Sequence, residues 1–132
     1  KSPVDTVLLE MVIKHLPNPK IAQPYRINVL WEGDITSDIG KHMVACDIHG
    51  KVVAICFGIQ YDKHAGEVAI LRVFSGTIKK GDQLYVSSKK VYYKVQQVSI
   101  YMGQERVPSD EIVAGNIGAV VGLKDVYVGE TI

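Results

Sequence analysis

The 132-residue sequence has only two cysteines, Cys46 and Cys56. Two cysteines cannot build the multi-disulfide framework of a small secreted domain, so reduced thiols in a cytosolic protein are the simpler interpretation. No apolar run approaches the roughly 18 residues that a membrane-spanning helix needs. The N-terminus also lacks the basic start, apolar middle and small-residue cleavage site of a signal peptide. We therefore expect a cytoplasmic protein without a membrane partner.

Motifs for nucleotide binding and catalysis are also missing. Neither G-x-x-x-x-G-K-[ST] nor G-x-G-x-x-G occurs, and GLKD at 122–125 lacks the asparagine of the guanine-binding N-K-x-D. No G-x-S-x-G elbow supplies a serine nucleophile. We predict no catalytic residue, no nucleotide-binding residue and no cofactor in this chain.

The charge balance excludes binding by bulk charge. Fifteen Lys and Arg residues oppose fourteen Asp and Glu residues, which gives a net charge of +1. A protein that holds DNA or another polyanion by its overall field would be strongly basic. We expect no DNA partner, although a local basic patch remains compatible with this balance.

Two histidines and two cysteines lie within fifteen residues, at His42, Cys46, His49 and Cys56. These are the side chains of tetrahedral zinc sites. However, their spacings of three, two and six intervening residues match no common zinc finger, and Cys56 lies in an apolar stretch where cysteine often packs as a small hydrophobe. We predict no metal site, and a metal-dependent enzyme remains a distant alternative that rests on these four residues.

The N-terminal segment has helical periodicity. Apolar residues recur at i, i+3 and i+4 from Val4, which predicts a helix over 3–16 with Ser2 as its cap and Pro3 in its first turn. Its apolar stripe must pack against the following domain or against a domain outside the chain. Four of the five prolines lie at or before position 24, three of them after residue 16, and residues 17–50 are predicted to be irregular, with short strands over 25–31 and 41–46.

The remainder has the pattern of strands and tight turns. Strands are predicted over 52–61, 67–74, 83–86, 91–102 and 117–123. Within 91–102 the apolar positions change parity near Gln96 and Gln97, which predicts a bulge or a barrel corner. Short strands without a βαβ rhythm predict a mainly β protein, a small antiparallel β-barrel with one N-terminal helix.

Basic and aromatic residues interleave in the strand region and suggest contact with RNA. Lysines at strand edges also protect against aggregation, and this alternative is the stronger one on the residues alone. The cluster comprises Arg72, Lys79, Lys80, Lys89, Lys90 and Lys94, with Tyr92 and Tyr93.

Residues 64–82, HAGEVAILRVFSGTIKKGD, closely resemble the hairpin of the second domain of translational GTPases. The segments KHLPNPKIAQPYRI, WEGDITSDIGK, CDIHGKVV and YMGQERVPSDEIVAGNIGAVVGLKD extend the resemblance over almost the whole chain and narrow it to the archaeal type of elongation factor 2. The resemblance implies a β-barrel that packs on a GTPase domain, where GTP and Mg²⁺ bind, and that faces the RNA of the small ribosomal subunit during translocation.

The resemblance also implies a division of the chain, within which charge and turn geometry suggest roles for single residues. Residues 1–25 would be a helix and linker from the end of the GTPase domain, and residues 26–132 the barrel, with the chain ending where a closing strand is expected. Candidate ribosomal RNA contacts are Arg72, Lys79, Lys80 and His64, and the structural turn positions are Gly66, Gly76, Gly81 and Gly115. Alternatives are the equivalent domain of a spliceosomal or ribosome-maturation GTPase and a free-standing RNA-binding barrel.

Overall fold

Helices precede a region of strands in the computed structural model, which describes residues 3–132. Within that range the helices are α1 (Val4–His15), α2 (Pro19–Leu30) and α3 (Asp38–Ala45). The strands are β1 (Val53–Asp62), β2 (Gly66–Ser75), β3 (Thr77–Lys79), β4 (Gln83–Val86), β5 (Val91–Lys94), β6 (Gln97–Met102), β7 (Glu105–Ser109), β8 (Glu111–Val113) and β9 (Ile117–Val121). No helix in residues 3–132 is long and apolar enough to cross a membrane.

Helix α1 confirms the helix predicted over 3–16, while the predicted cap at Ser2 lies outside the described residues. The helix ends before Pro17, which has no backbone N–H to continue it. No side chain of α1 is buried, and Val4, Leu9 and Ile13 are among its exposed apolar residues. The described residues therefore leave the apolar side chains of α1 uncovered.

The irregular segment and short strand predicted over 17–31 are wrong, because this stretch forms α2. Asn18 caps the helix by accepting a hydrogen bond from the backbone N–H of Ile21 at 3.1 Å, and Pro19 occupies its first turn. Pro24 lies inside the helix, where it removes one backbone hydrogen bond. Burial of Gln23 and Ile27 against α3 and β2 compensates for that loss, and such tertiary contacts are not visible in the local sequence.

The strand predicted over 41–46 is also wrong, because these residues belong to α3 and its end. The Ser37 hydroxyl caps the helix by accepting from the Gly40 N–H at 3.1 Å, and Cys46 ends it in a left-handed conformation with φ 51°. Met43 is buried with Ile27 and Phe74 and fixes α3 against β2. Eight residues are too few for a clear helical period, which explains the error.

The hairpin of β1 and β2 confirms the strands predicted over 52–61 and 67–74. The two strands are antiparallel, with Tyr61 opposite Glu67, and a bulge lies between Cys56 and Gly58. Strands β4 and β9 also lie where strands were predicted. Three strands were missed: β7 contains Pro108, which resembles a loop signal, and β3 and β8 have only three residues each.

The predicted barrel corner is confirmed at Val95 and Gln96, but a continuous strand over 91–102 is wrong. β5 pairs with β4, whereas β6 pairs with β7 and β9 in another sheet. The chain thus changes sheets where the apolar parity changes. Hydrogen bonds from Val95 N–H to Asp82 O and from Gln96 N–H to Val121 O hold the corner at 2.8 Å each.

Three antiparallel sheets enclose one main core. Their strand orders are β1-β2-β9-β6-β7, β3-β8 and β4-β5. Leu71, Ile78, Val86, Val98 and Leu123 are fully buried between them. This arrangement confirms a mainly β, barrel-like fold, with three helices in the described residues where one was predicted.

The last residues lie along the open edge of β1. Ala54 and Ile132 exchange backbone hydrogen bonds of 2.8 and 2.9 Å, and Ser87 donates to Thr131 O at 3.2 Å. These contacts connect β1 with the end of β4 at the edge where a closing strand was expected. The predicted division between residues 25 and 26 falls inside α2 and stays a prediction.

Candidate interaction surfaces

The hairpin loop and the β3–β4 turn bring His64 and Lys80 to one polar groove. The groove has a volume of about 690 Å³, and Gln96, Ser109 and Asp110 also line it. Lys80 is exposed, and no carboxylate oxygen in residues 3–132 lies within 4.0 Å of its ammonium group. Two of the four predicted RNA contacts therefore share one surface.

Lys79 lies beside this groove but is already paired. Its ammonium nitrogen is 3.3 Å from Glu111 Oε2, and both side chains are about half exposed. Asp82 shapes the turn by accepting from the Lys79 N–H at 2.7 Å. A phosphate bound by Lys79 would have to compete with Glu111, which makes Lys79 a weaker partner for RNA than Lys80.

Asp62 organises the loop that carries His64. Its carboxylate accepts hydrogen bonds from the backbone N–H groups of His64 and Ala65, at 2.8 and 3.0 Å, and from Arg106 at 3.0 Å. These two amides and then the Arg106 charge lower the pKa of Asp62 below its ordinary value. Asp62 thus contacts the backbone of His64, so the two residues do not form an acid–imidazole pair in this structure.

Arg72 lies apart from the lysines. It is on the outer face of β2, opposite Ile117 of β9, with its guanidinium carbon 5.7 Å from the centre of the Phe74 ring. His64 precedes the other end of β2, and the six residue steps from Gly66 to Arg72 span roughly 20 Å of extended chain. The structure therefore separates Arg72 from the groove of His64 and Lys80.

The β4–β5 ribbon holds the remaining basic residues of the predicted cluster. Tyr85 and Tyr92 are exposed on its outer face with ring centres 5.0 Å apart, whereas Tyr93 packs against the core. Lys89 Nζ is 3.8 Å from Asp125 Oδ2 and 5.3 Å from the centre of the Tyr127 ring. The predicted basic cluster is thus divided among three surfaces, and Tyr85 was missed because the prediction followed the lysines.

The histidines and cysteines considered for zinc do not converge. His42 Nδ1 lies 2.7 Å from Asp47 Oδ2, and hydrogen bonds from the His49 N–H and then His42 lower the pKa of Asp47. Cys46 and Cys56 are buried, and burial raises the pKa of both thiols. Residues 3–132 contain no group of three His, Cys, Asp or Glu residues arranged to hold a metal.

The four turn glycines all have positive φ. At Gly76 and Gly115 the space is restricted as well. A Cβ atom on Gly76 would lie 2.7 Å from Val52 Cα, and one on Gly115 would lie 2.9 Å from Pro19 Cβ. Gly66 and Gly81 have open space around them. Gly76 and Gly115 therefore permit close packing that a side chain would block.

Comparison with known proteins identifies the family to which this fold belongs. The family model described as elongation factor G domain 2 matches residues 51–132, which contain all nine strands of the described residues. The chain belongs to this family. The predicted resemblance to the second domain of translational GTPases is confirmed, and elongation factor G domain 2 accounts for the barrel-like fold.

Individual relatives support the assignment to the elongation factor G domain 2 family. The chain is 52% identical to elongation factor 2 of Methanopyrus kandleri and 53% identical to that of Pyrococcus abyssi, each over 100% of this chain. It is 54% identical to elongation factor 2 of Methanoregula boonei over 99% of this chain. The aligned region is 10% of the length of the first relative and 18% of the other two.

Proposed function

We propose that the chain is the β-barrel domain of a GTPase of the elongation factor 2 type and supports translocation of tRNA and mRNA without catalysing a reaction itself. The observation that carries the proposal is the identity of 52–54% to elongation factor 2 proteins along 99–100% of the chain. GTP and Mg²⁺ bind to a separate GTPase domain of the parent protein, on which this domain packs. The parent protein acts in the cytoplasm, where ribosomes translate.

The groove of His64 and Lys80 is the proposed contact with small-subunit RNA. Lysine and histidine side chains bind phosphate oxygens and position a protein on RNA without reading its sequence. Lys80 has no carboxylate partner within 4.0 Å in the described residues, and Lys79 can leave Glu111 to add a second contact. Asp110 in the same groove reduces its positive charge, so we expect one or two phosphate contacts and not an extended track.

The test uses the full-length parent protein and purified small ribosomal subunits. We expect Lys80→Glu to weaken binding by about fivefold to tenfold and to reduce the slope of log affinity against log salt by about 1, because one phosphate contact is lost. The control is Lys41→Glu, which reverses an exposed charge on α3 outside the groove. Equal affinities and equal salt slopes for the two variants would contradict a contact between the groove and the ribosome.

A free-standing RNA-binding barrel is favoured by one observation, the chemistry of the β4–β5 ribbon. Residues 83–94 contain three lysines and no acidic residue, and Tyr92 is exposed beside Tyr85. Exposed aromatic rings among lysines can stack unpaired bases. If the chain is a free-standing RNA-binding barrel, it binds single-stranded RNA in isolation, with an affinity that falls as salt rises. Tyr92→Ala should lower that affinity about tenfold. No measurable RNA binding without ribosomes would exclude this function.

A further inference from the structure

Lys80 and Asp110 occupy opposing positions just beyond one end of the β3–β8 ladder. The last pair of that ladder is Lys79 and Glu111, so the next residues on the two sides are Lys80 and Asp110. Successive side chains of a strand point to opposite faces, and accordingly Lys80 and Asp110 line the groove of His64 whereas Lys79 and Glu111 do not. Opposing Cα atoms in such a ladder are about 5 Å apart, so the two groove side chains begin close together.

Despite this proximity, Lys80 and Asp110 do not form an ion pair. In residues 3–132 no carboxylate oxygen lies within 4.0 Å of the Lys80 ammonium group, and no cationic nitrogen lies within 4.0 Å of the Asp110 carboxylate. The adjacent pair, Lys79 and Glu111, does form one at 3.3 Å. Both groove side chains are exposed. The groove therefore offers a cation and an anion side by side, and one ligand can contact both.

The backbone fixes Asp110 in this position. Asp110 is the single residue between the end of β7 at Ser109 and the start of β8 at Glu111. The Ser109 hydroxyl donates a hydrogen bond to Glu111 O at 3.0 Å and spans the bend at Asp110. β8 is in turn paired with β3, which leads into the turn of Lys80. The carboxylate is thus held beside Lys80 as a hydrogen-bond acceptor.

We propose that Asp110 makes the groove specific for ribose, by accepting a hydrogen bond from a 2′-hydroxyl group of RNA whose neighbouring phosphate binds Lys80. The inference rests on the proposed function, because it names the chemical group that the RNA-facing groove recognises. A phosphate has only acceptor oxygens and is repelled by a carboxylate, whereas the 2′-hydroxyl can donate. Lys80 therefore binds the phosphate and Asp110 the hydroxyl. DNA has no donor at this position.

The closeness of the two positions favours the 2′-hydroxyl over a base as the donor. In RNA the 2′-hydroxyl and the oxygen that carries the next phosphate are on neighbouring carbons of one ribose. Both groups can therefore contact side chains whose Cα atoms are about 5 Å apart. The amino groups of a base lie farther from the phosphate, on the other side of the sugar. Ala65 and Pro108, which also line the groove, offer apolar surface to the sugar ring.

The test compares three oligonucleotides as ligands of the full-length parent protein: oligouridylate, oligodeoxyuridylate and 2′-O-methyl oligouridylate. They have the same base and the same phosphates, and only the first has a hydrogen-bond donor at the 2′ position. Dissociation constants are measured by fluorescence anisotropy at low salt and without ribosomes. We expect oligouridylate to bind about fivefold more tightly than the other two, because only it donates a hydrogen bond to a charged acceptor.

Variants of Asp110 should change this preference. We expect Asp110→Ala to abolish it and Asp110→Asn, which keeps a carbonyl acceptor, to retain a preference of roughly twofold. The readout is the ratio of affinities, because loss of a negative charge raises the affinity for all three oligonucleotides alike. Glu105→Ala is the control, since it removes an exposed carboxylate at the other end of β7, outside the groove lining. It should leave the ratio unchanged.

Equal affinities of the unsubstituted protein for the three oligonucleotides, or no measurable binding of oligouridylate, would overturn the proposal. A preference for oligouridylate that persists in Asp110→Ala would also overturn it. If that persistent preference disappears in Tyr92→Ala, ribose recognition belongs to the β4–β5 ribbon and not to the groove.

The proposed function is tested separately by the binding of Lys80→Glu and Lys41→Glu to small ribosomal subunits. If Lys80→Glu weakens subunit binding while Asp110→Ala keeps the preference for ribose, only the role of Asp110 fails. If Lys80→Glu and Lys41→Glu bind subunits equally well, the ribosome contact fails. The oligonucleotide ratios, which are measured without ribosomes, do not depend on that result, so the two failures are distinguishable.

Discussion

Gln23 connects the helical segment to the barrel, and replacing it should destabilise the chain strongly. Gln23 is 1% exposed, and its Nε2 donates to Phe74 O at 3.0 Å and to Met43 O. Gln23→Ala leaves two buried carbonyls without this donor and creates a cavity between α2, α3 and β2. Its Oε1 has no partner in the described structure, so the substitution also removes one unsatisfied atom.

The expected loss in the free energy of unfolding for Gln23→Ala is the sum of these three effects. Loss of the Gln23 donor costs about 1–2 kcal/mol at Phe74 O and about 1 kcal/mol at Met43 O, which still accepts from the Cys46 N–H at 3.2 Å. The cavity costs about 1–2 kcal/mol, and loss of the unsatisfied Oε1 returns about 1 kcal/mol. We expect Gln23→Ala to lower the free energy of unfolding by about 3 kcal/mol. Gln23→Met fills most of the cavity but removes the same donor, so it should lower the free energy of unfolding by about 1–2 kcal/mol.

Urea unfolding of the chain measures this difference. Trp31 is the one tryptophan of the sequence and packs against the cluster of Met43 and Phe74, so its fluorescence reports on the helix–barrel junction. Far-UV circular dichroism follows the whole chain. Gln60→Ala is the control, since Gln60 is exposed and accepts one hydrogen bond from Tyr101, and it should cost less than about 0.5 kcal/mol. Equal losses for Gln23→Ala and Gln60→Ala would refute the role of Gln23.

Further predictions concern glycine, acid and thiol positions. Gly76→Ala should lower the free energy of unfolding in urea by about 2–4 kcal/mol, because the positive φ and the close Val52 backbone both disfavour a Cβ atom. Gly66→Ala, with open space around the Cβ atom, should lower it by about 1 kcal/mol. Equal losses for the two variants would contradict a packing role for Gly76. Asp62 has a lowered pKa, so its contribution to stability is present above its unfolded value of about 3.9 and is lost as pH falls through the lower folded value. Asp62→Asn should therefore flatten the acid side of the stability curve below about pH 5, and unchanged curves would be the contrary result. Thiol titration should find Cys46 and Cys56 unreactive at pH 7 in the folded chain and reactive in urea, since both are buried with raised pKa values; fast reaction without urea would contradict their burial.

The strand region could be predicted from sequence because its signals are local. The hairpin of β1 and β2 combines two apolar runs with a polar five-residue connection, and the parity change at Gln96 marks the corner directly. Helices α2 and α3 could not be predicted from the local sequence. Pro24 inside α2 is a residue that usually ends helices, and α3 is too short to show a clear helical period. Burial of Ile27 and Met43 against distant Phe74 decides their conformation.

The candidate surfaces were predictable only in part. His64 and Lys80 meet because the β1–β2 loop and the β3–β4 turn lie at one groove, and both residues were predicted as RNA contacts. The environment of Arg72 could not be predicted, since Leu30, Phe57 and Ile117 come from three elements far apart in sequence. Arg72 lies within β2, and its charge predicted an RNA contact because the apolar side chains around it are not adjacent in sequence.

Cleavage from a tethered iron chelate tests whether the His64–Lys80 groove faces RNA of the small ribosomal subunit. Lys63→Cys, beside His64, carries the chelate in the full-length parent protein bound to ribosomes, and Glu10→Cys on exposed α1 is the control. We predict hydroxyl-radical cleavage of small-subunit RNA from position 63 and much weaker cleavage from position 10. Equal cleavage from both positions, or none from position 63 while the protein is bound, would contradict a contact between this groove and the RNA.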